Sequence, residues 1–156
     1  MRWLLVSLVL MLATVPLHTM ADSGRAAPNC VSRSIDDLAA SVTVDPGGCI
    51  LVDLGVLTPT DVHEVEAIVV DDAIDMLFFD ENSVQPYELG QSYRSNTVET
   101  ISTESALGGY EFHWKTPPSI TAKRWYVALD NTAHDGDDDP GDQGGLPSQD
   151  TLSMTQ

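Results

Sequence analysis

The densest cluster of side chains that could bind a metal ion lies near the end of the chain. Carboxylates crowd the segment 135–142, namely Asp135, Asp137, Asp138, Asp139 and Asp142. Calcium takes roughly six to eight oxygen ligands, and alternating aspartate and glycine can wrap a loop around the ion. The EF-hand spacing fails here, because Pro140 stands where that loop requires glycine and no glutamate closes it. We interpret the segment as a solvated acidic loop and keep a calcium site as the alternative.

The histidines do not have the spacing of a catalytic or zinc site. His63, His113 and His134 lack the H-E-x-x-H pattern that places two zinc ligands on one helix face. Alternation assigns His63 and His113 to solvent, and His134 falls in a loop. Ser92 lacks the G-x-S-x-G turn of a hydrolase nucleophile. No catalytic residue is assigned, and a hydrolase of unrecognised type is the third hypothesis for function.

Aromatic side chains raise the question of carbohydrate binding, since flat rings stack on sugar faces. Trp114 and Trp125 each fall on the apolar face of an alternating segment, so both are expected in the core. Tyr87 and Tyr93 lie in an insert that contains proline and glycine. These two tyrosines are therefore the better candidates for an exposed ligand contact.

The amino terminus has the layout of a secretory signal peptide over residues 1–21. Arg2 precedes an apolar run over 3–13, and small residues surround the expected cleavage site after Ala21. The run is shorter than the about 20 apolar residues of a membrane span, so we expect export, with a retained anchor as the alternative. Cys30 and Cys49 remain in the exported chain. Their even count favours a disulfide, with two buried thiols as the alternative.

Charge excludes one class of partner and suggests a habitat. The chain of 156 residues has 24 acidic and 7 basic side chains, for a formal net charge of −17. Such a surface repels phosphate backbones, so nucleic acid is not an expected partner. Proteins of concentrated salt carry surfaces of this kind, because high ionic strength screens the repulsion between carboxylates. We expect a halophilic or marine archaeal source and a fold that salt stabilises.

Hydrophobic alternation with a period of two recurs after residue 40 and predicts an all-β domain. Its turn chemistry fits an antiparallel β-sandwich of jelly-roll type with seven to eight strands. The domain spans 35–156, follows an arm over 22–34, and includes a short helical insert near 82–92 and an acidic loop over 132–147. Strands are expected near 41–45, 49–56, 63–71, 74–80, 110–115, 124–131 and 150–155, with the first two paired as a hairpin.

Two phrases of the sequence resemble a known group of domains. VEAIVVDDAIDMLFFDEN lies in the middle of the chain, and RWYVALDN precedes the acidic loop. Both are similar to phrases in small extracytoplasmic β-sandwich domains of archaea and bacteria, the group around pre-peptidase C-terminal and GOLD-like domains. The resemblance covers residues 35–156. It implies a jelly-roll-like fold and an accessory or interaction role, and it implies no catalytic residues.

The leading hypothesis is an exported, non-enzymatic β-sandwich that mediates adhesion or protein contact at the cell envelope. Its partner would be a protein or glycan at the cell surface. The second hypothesis is a carbohydrate- or calcium-binding accessory module. No cofactor is expected apart from calcium in that second case.

Overall fold

The computed structural model describes residues 28, 30–39, 41–90, 98, 100–119, 121–132 and 146–155. Within these ranges the chain is all-β, with one α-helix, α1 (Glu81–Glu88), and one 3₁₀ helix, Ile35–Ala39. The strands are β1 (Cys30–Ser34), β2 (Val42–Val44), β3 (Cys49–Leu57), β4 (Val62–Asp80), β5 (Thr103–Lys115), β6 (Lys123–Asp130) and β7 (Ser148–Thr155). The expected all-β class and the helical insert are confirmed.

The described strands form one mixed sheet. Their order is β1-β3-β6-β4-β7-β2, and β5 pairs with β4. Most neighbours are antiparallel, but β1 runs parallel to β3, with Cys30 opposite Cys49. The segment 30–34 was expected to belong to an arm outside the domain, and that prediction is wrong. Its side chains are too exposed to show an apolar face, so alternation carried no signal for β1.

The strands expected at 63–71 and 74–80 are one long strand, β4. Its first part pairs with β5 and β7, and its last part pairs mainly with β6. The register shifts between Val69 and Ile74, and Asp71 has a positive φ of 79° in between. A bulge of this kind bends a strand and increases its twist. The bulge lets β4 pass from one half of the sheet to the other without a turn.

The two halves of the sheet enclose one core. Val65, Ala67 and Val69 from the first part of β4 pack in the same cluster as side chains from β3 and β6, including Val52 and Val127. On a flat sheet, the side chains from the first part of β4 would lie too far from those of β3 and β6 to share one cluster. The sheet is therefore curled over its own core.

The predicted hairpin between residues 41–45 and 49–56 is wrong. β2 pairs with β7, with Val42 opposite Asp150, whereas β3 pairs with β1 and β6. The turn between β2 and β3 is instead held by Asn131, whose backbone N–H donates to Gly48 O at 2.9 Å and whose carbonyl accepts from Gly47 N at 2.7 Å. Gly47 has a φ of 74°, which glycine adopts without a steric penalty. The turn thus crosses from one half of the sheet to the other.

The predicted disulfide is confirmed, because Cys30 and Cys49 are bonded. The bond ties β1, whose last four residues are exposed, to the central part of the sheet. No helix among the described residues is both long and apolar enough to cross a membrane.

Candidate interaction surface

The described residues contain no group of three or more histidine, cysteine, aspartate or glutamate side chains placed to hold a metal ion. The acidic segment with Asp135, Asp137, Asp138, Asp139 and Asp142 lies outside the described residues, as do Tyr93 and His134. The calcium site and the contact through Tyr93 stay predictions.

The prediction that Tyr87 is an exposed ligand contact is wrong. Its side chain is fully buried on the sheet-facing side of α1, with its ring centroid 5.1 Å from that of Phe79. The insert folds as a helix that begins at Asp80, whose side chain accepts a hydrogen bond from Asn82 N at 3.0 Å. A helix lying on a sheet must turn one side inward, and Tyr87 is on that side.

Tyr87 anchors α1 through a polar contact as well as through packing. Its hydroxyl donates to Asp130, which is fully buried at the end of β6. The other carboxylate oxygen of Asp130 accepts from Thr132 N at 3.0 Å and from Thr132 Oγ1 at 2.6 Å. The Tyr87 hydroxyl also lies 4.0 Å from Cys49 Sγ. The helix, the end of β6 and the disulfide therefore form one structural unit.

The prediction that His63 faces solvent is also wrong, whereas His113 is exposed as expected. His63 is 3% exposed, and its ring centroid lies 5.9 Å from that of Trp114. It occupies the inward side of β4 together with Val65, because residues two apart in a strand point to the same side. Burial lowers the pKa of His63, and the nearby charge of Asp61 opposes that shift. Trp114 and Trp125 are core residues, as predicted.

One carboxyl group is buried on the inner side of β7. Asp150 is 1% exposed and lies between Val42 of β2 and Val69 of β4. One of its oxygens accepts from Ser148 Oγ at 2.7 Å, and the other has no partner in the described part of the chain. Burial raises the pKa of Asp150 to about 6, and the Ser148 hydrogen bond acts against that shift. This group is a source of pH-dependent stability rather than an exposed site.

The most distinctive surface is the outward side of the first part of β4 and its neighbours on β5 and β7, which we call the open face. Its apolar centre consists of Ile68 and Val70, which are 51% and 43% exposed. Glu66 and Glu111 lie beside this centre and are directly opposite each other across β4 and β5. No helix covers this side of the sheet within the described residues.

A shallow groove runs across the open face between β4 and β5. It encloses about 270 Å³ and is lined by Glu66, Ala67, Ile68, Gly109, Tyr110 and Glu111. A second depression, of about 170 Å³, lies near the disulfide between the ends of the sheet and includes Val31 and Arg33. The first groove combines an apolar floor with two carboxylates, which is a chemically selective arrangement.

Sequence reasoning missed the open face, although a signal was present. The run Ile68-Val69-Val70 breaks the alternation of polar and apolar residues that precedes it. Since successive side chains of a strand point to opposite sides, such a run must place apolar groups outward. In the structure Val69 is buried in the core, whereas Ile68 and Val70 are exposed.

No protein-family model matches the chain, and no curated protein matches it. Among solved structures, the chain is similar to the pre-peptidase C-terminal domain of collagenase from Bacillus anthracis, determined at 1.0 Å. The match covers 81% of this chain and 94% of that domain, with a TM-score of 0.43 and 8% sequence identity. This domain belongs to the group that the sequence phrases resemble. An identity of 8% assigns no functional residue to this chain.

Proposed function

We propose that the chain is an exported, non-enzymatic domain that mediates adhesion or protein–protein contact at the cell envelope, with the open face as its contact surface. The observation that carries the proposal is the exposed apolar centre formed by Ile68 and Val70. Contiguous apolar groups with a polar rim are typical of surfaces that bind other macromolecules. Both side chains point away from the core, so the fold does not require them to be apolar.

The runner-up, a carbohydrate-binding module, has less support among the described residues. Stacking on a sugar needs exposed rings, and Tyr87, Trp114 and Trp125 are all buried. What the described surface offers instead is an apolar face with carboxylates beside it. A protein partner is the better match, because proteins present apolar side chains and basic groups together.

Binding of the fluorescently labelled protein to intact cells of the producing organism tests this proposal. Val70→Asp places a charge in the apolar centre and should lower the bound fraction by about tenfold, a loss of about 1.4 kcal/mol of binding free energy. Val56→Asp is the matched control, since Val56 is 59% exposed on β3 and lies outside the open face. Both variants should keep the melting temperature of the wild type, because neither residue is in the core.

Treatment of the cells distinguishes the classes of partner. Prior digestion with protease should abolish binding, whereas periodate oxidation of surface sugars should leave it unchanged. Loss of binding after periodate alone would favour the carbohydrate-binding alternative. Equal binding by the wild type and Val70→Asp would overturn the assignment of the open face.

A further inference from the structure

Two carboxylates of the open face are placed where they repel each other. Glu66 and Glu111 are cross-strand partners, so their Cβ atoms lie about 4.5–5.5 Å apart, a spacing at which like charges destabilise a sheet. Neither side chain has a hydrogen bond or an ion pair within the described part of the chain. The pair is therefore unfavourable for the fold and lacks a compensating cation there.

Gly109 is the second unusual feature of the same groove. Its φ lies outside the left-handed region that favours glycine, unlike that of Gly108 at 103°. A Cβ atom added to Gly109 would meet nothing within 4 Å. Neither the backbone nor the packing thus requires glycine at this position, although glycine inside a strand costs about 0.5–1 kcal/mol relative to alanine. Glycine in a strand often marks the close approach of a ligand or another chain.

The groove combines these features in a shape that fits a long cationic side chain. Ile68 and Gly109 form an apolar floor, and the carboxylates of Glu66 and Glu111 stand at one end. Lysine and arginine pack their aliphatic stems along apolar surface while the charged group stays at its edge. A stem lying over Ile68 and Gly109 would place its cation near both carboxylates. That contact would remove the repulsion between Glu66 and Glu111.

Net charge selects among the macromolecules that could bring such a group. At −17, a second copy of this chain is repelled, and so are nucleic acids and anionic membranes. A partner with a basic surface would be attracted at long range and aligned at the groove. Complementary charge thus indicates a basic protein.

We propose that the groove between Glu66 and Glu111 binds a lysine or arginine side chain of the protein partner, with Gly109 leaving room for its aliphatic stem. This rests on the proposed contact function of the open face. It adds the chemical identity of the residue that the groove recognises.

Titration of the full-length, ¹⁵N-labelled protein with short extended peptides tests the inference by NMR. The probe is Ac-Val-Thr-Val-Lys-Val-Thr-NH₂, and its matched control has norleucine in place of lysine. The lysine peptide should shift the amide signals of Ile68, Gly109 and Glu111. It should bind about tenfold more tightly than the norleucine peptide at about 0.05 M NaCl, with the difference shrinking at about 1 M.

Two variants separate binding from folding. Glu66→Gln combined with Glu111→Gln should remove the preference for lysine without lowering the melting temperature. Gly109→Val should block both peptides, although the open space around Gly109 means that the fold tolerates the side chain. Glu64→Gln is the matched control on the same face and should keep the preference.

The outcomes distinguish this inference from the proposed function. Equal affinity for the two peptides, or signal shifts spread evenly over the acidic surface, would overturn the lysine site. If Val70→Asp still reduced cell binding in that case, the contact function would stand without it. If Val70→Asp had no effect either, both proposals would fail.

Discussion

The two outer faces of the curled sheet are both apolar in part, but among the described residues a helix covers only one of them. Leu51, Leu77 and Phe79 lie beneath α1 with Tyr87, and we call this the covered face. Ile68 and Val70 of the open face have no such helix above them within the described residues. The same strand, β4, contributes to both faces on either side of its bulge. An apolar outward side chain is therefore buried in one half of β4 and exposed in the other, where we propose that it serves contact.

The comparison predicts opposite consequences for matched truncations. Tyr87→Ala removes a fully buried ring from the covered face and the hydroxyl that donates to Asp130. The expected loss is about 3–5 kcal/mol of unfolding free energy, as for other large aromatic residues in cores. Val70→Ala on the open face should change stability by less than about 0.5 kcal/mol. Urea denaturation measures both. Similar losses for the two variants would show that the open face is part of the packed fold.

The disulfide lies at the edge of the covered face and should have the next largest effect. Cys30 and Cys49 are separated by 19 residues, and closing a loop of that length stabilises a protein by about 3 kcal/mol in the chain-entropy model. The double variant with serine at both positions should lose about that amount in urea denaturation. Cell binding should persist below the new melting temperature, because the open face is distant in the sheet order. Loss of binding in the still folded variant would contradict the separation of the two faces.

Asp150, which is buried on the inner side of β7, makes the stability of the fold depend on pH. Its pKa is about 6 in the folded chain and about 3.9 in an unfolded one, so the folded state holds the proton more tightly. The resulting stabilisation is present below about pH 4 and is lost as the pH rises through 6. Asp150→Asn should therefore raise the unfolding free energy at pH 8 by about 1–3 kcal/mol and change it little at pH 4. Asp45→Asn, at an exposed position, is the control. An equal effect at both pH values would show that ionisation of Asp150 is not the cause.

Sequence reasoning was most successful where one physical constraint dominated. The expectation of export and an even cysteine count were enough to predict the Cys30–Cys49 bond. Alternation was enough to place Trp114 and Trp125 in the core, because an alternating apolar strand has one buried side. The helix was predicted within the insert near 82–92, but the side of it that faces the sheet was not predicted. Whether Tyr87 faces solvent depends on the sheet beneath α1, and the local sequence does not contain that information.

The remaining errors have a common cause in long-range pairing. β2 was assigned to β3 because the two are adjacent in sequence, but Asn131 holds the intervening turn so that β2 meets β7 instead. The bulge in β4 was not predicted, and residues 63–71 and 74–80 were assigned to two separate strands. The continuous apolar runs of β3 and of the last part of β4 did contain usable information. Strands that are covered on both sides have nearly continuous apolar sequences, so these runs indicated the covered face.

The smallest expected effect tests the open face without any partner. Glu111→Lys replaces the repulsion with Glu66 by an attraction across β4 and β5. Cross-strand charge pairs contribute about 0.2–1 kcal/mol, so thermal unfolding at low ionic strength should show a stabilisation of that size. It should disappear at about 1 M NaCl, where the Debye length falls to about 3 Å. The wild type should gain more from salt than the variant does, since screening relieves repulsion that the variant no longer has.

The new lysine would also occupy the cationic position of the groove from within the chain. The same variant should therefore lose the preference for lysine peptides, and retention of that preference would mean that the groove does not bind a cationic side chain between these two carboxylates.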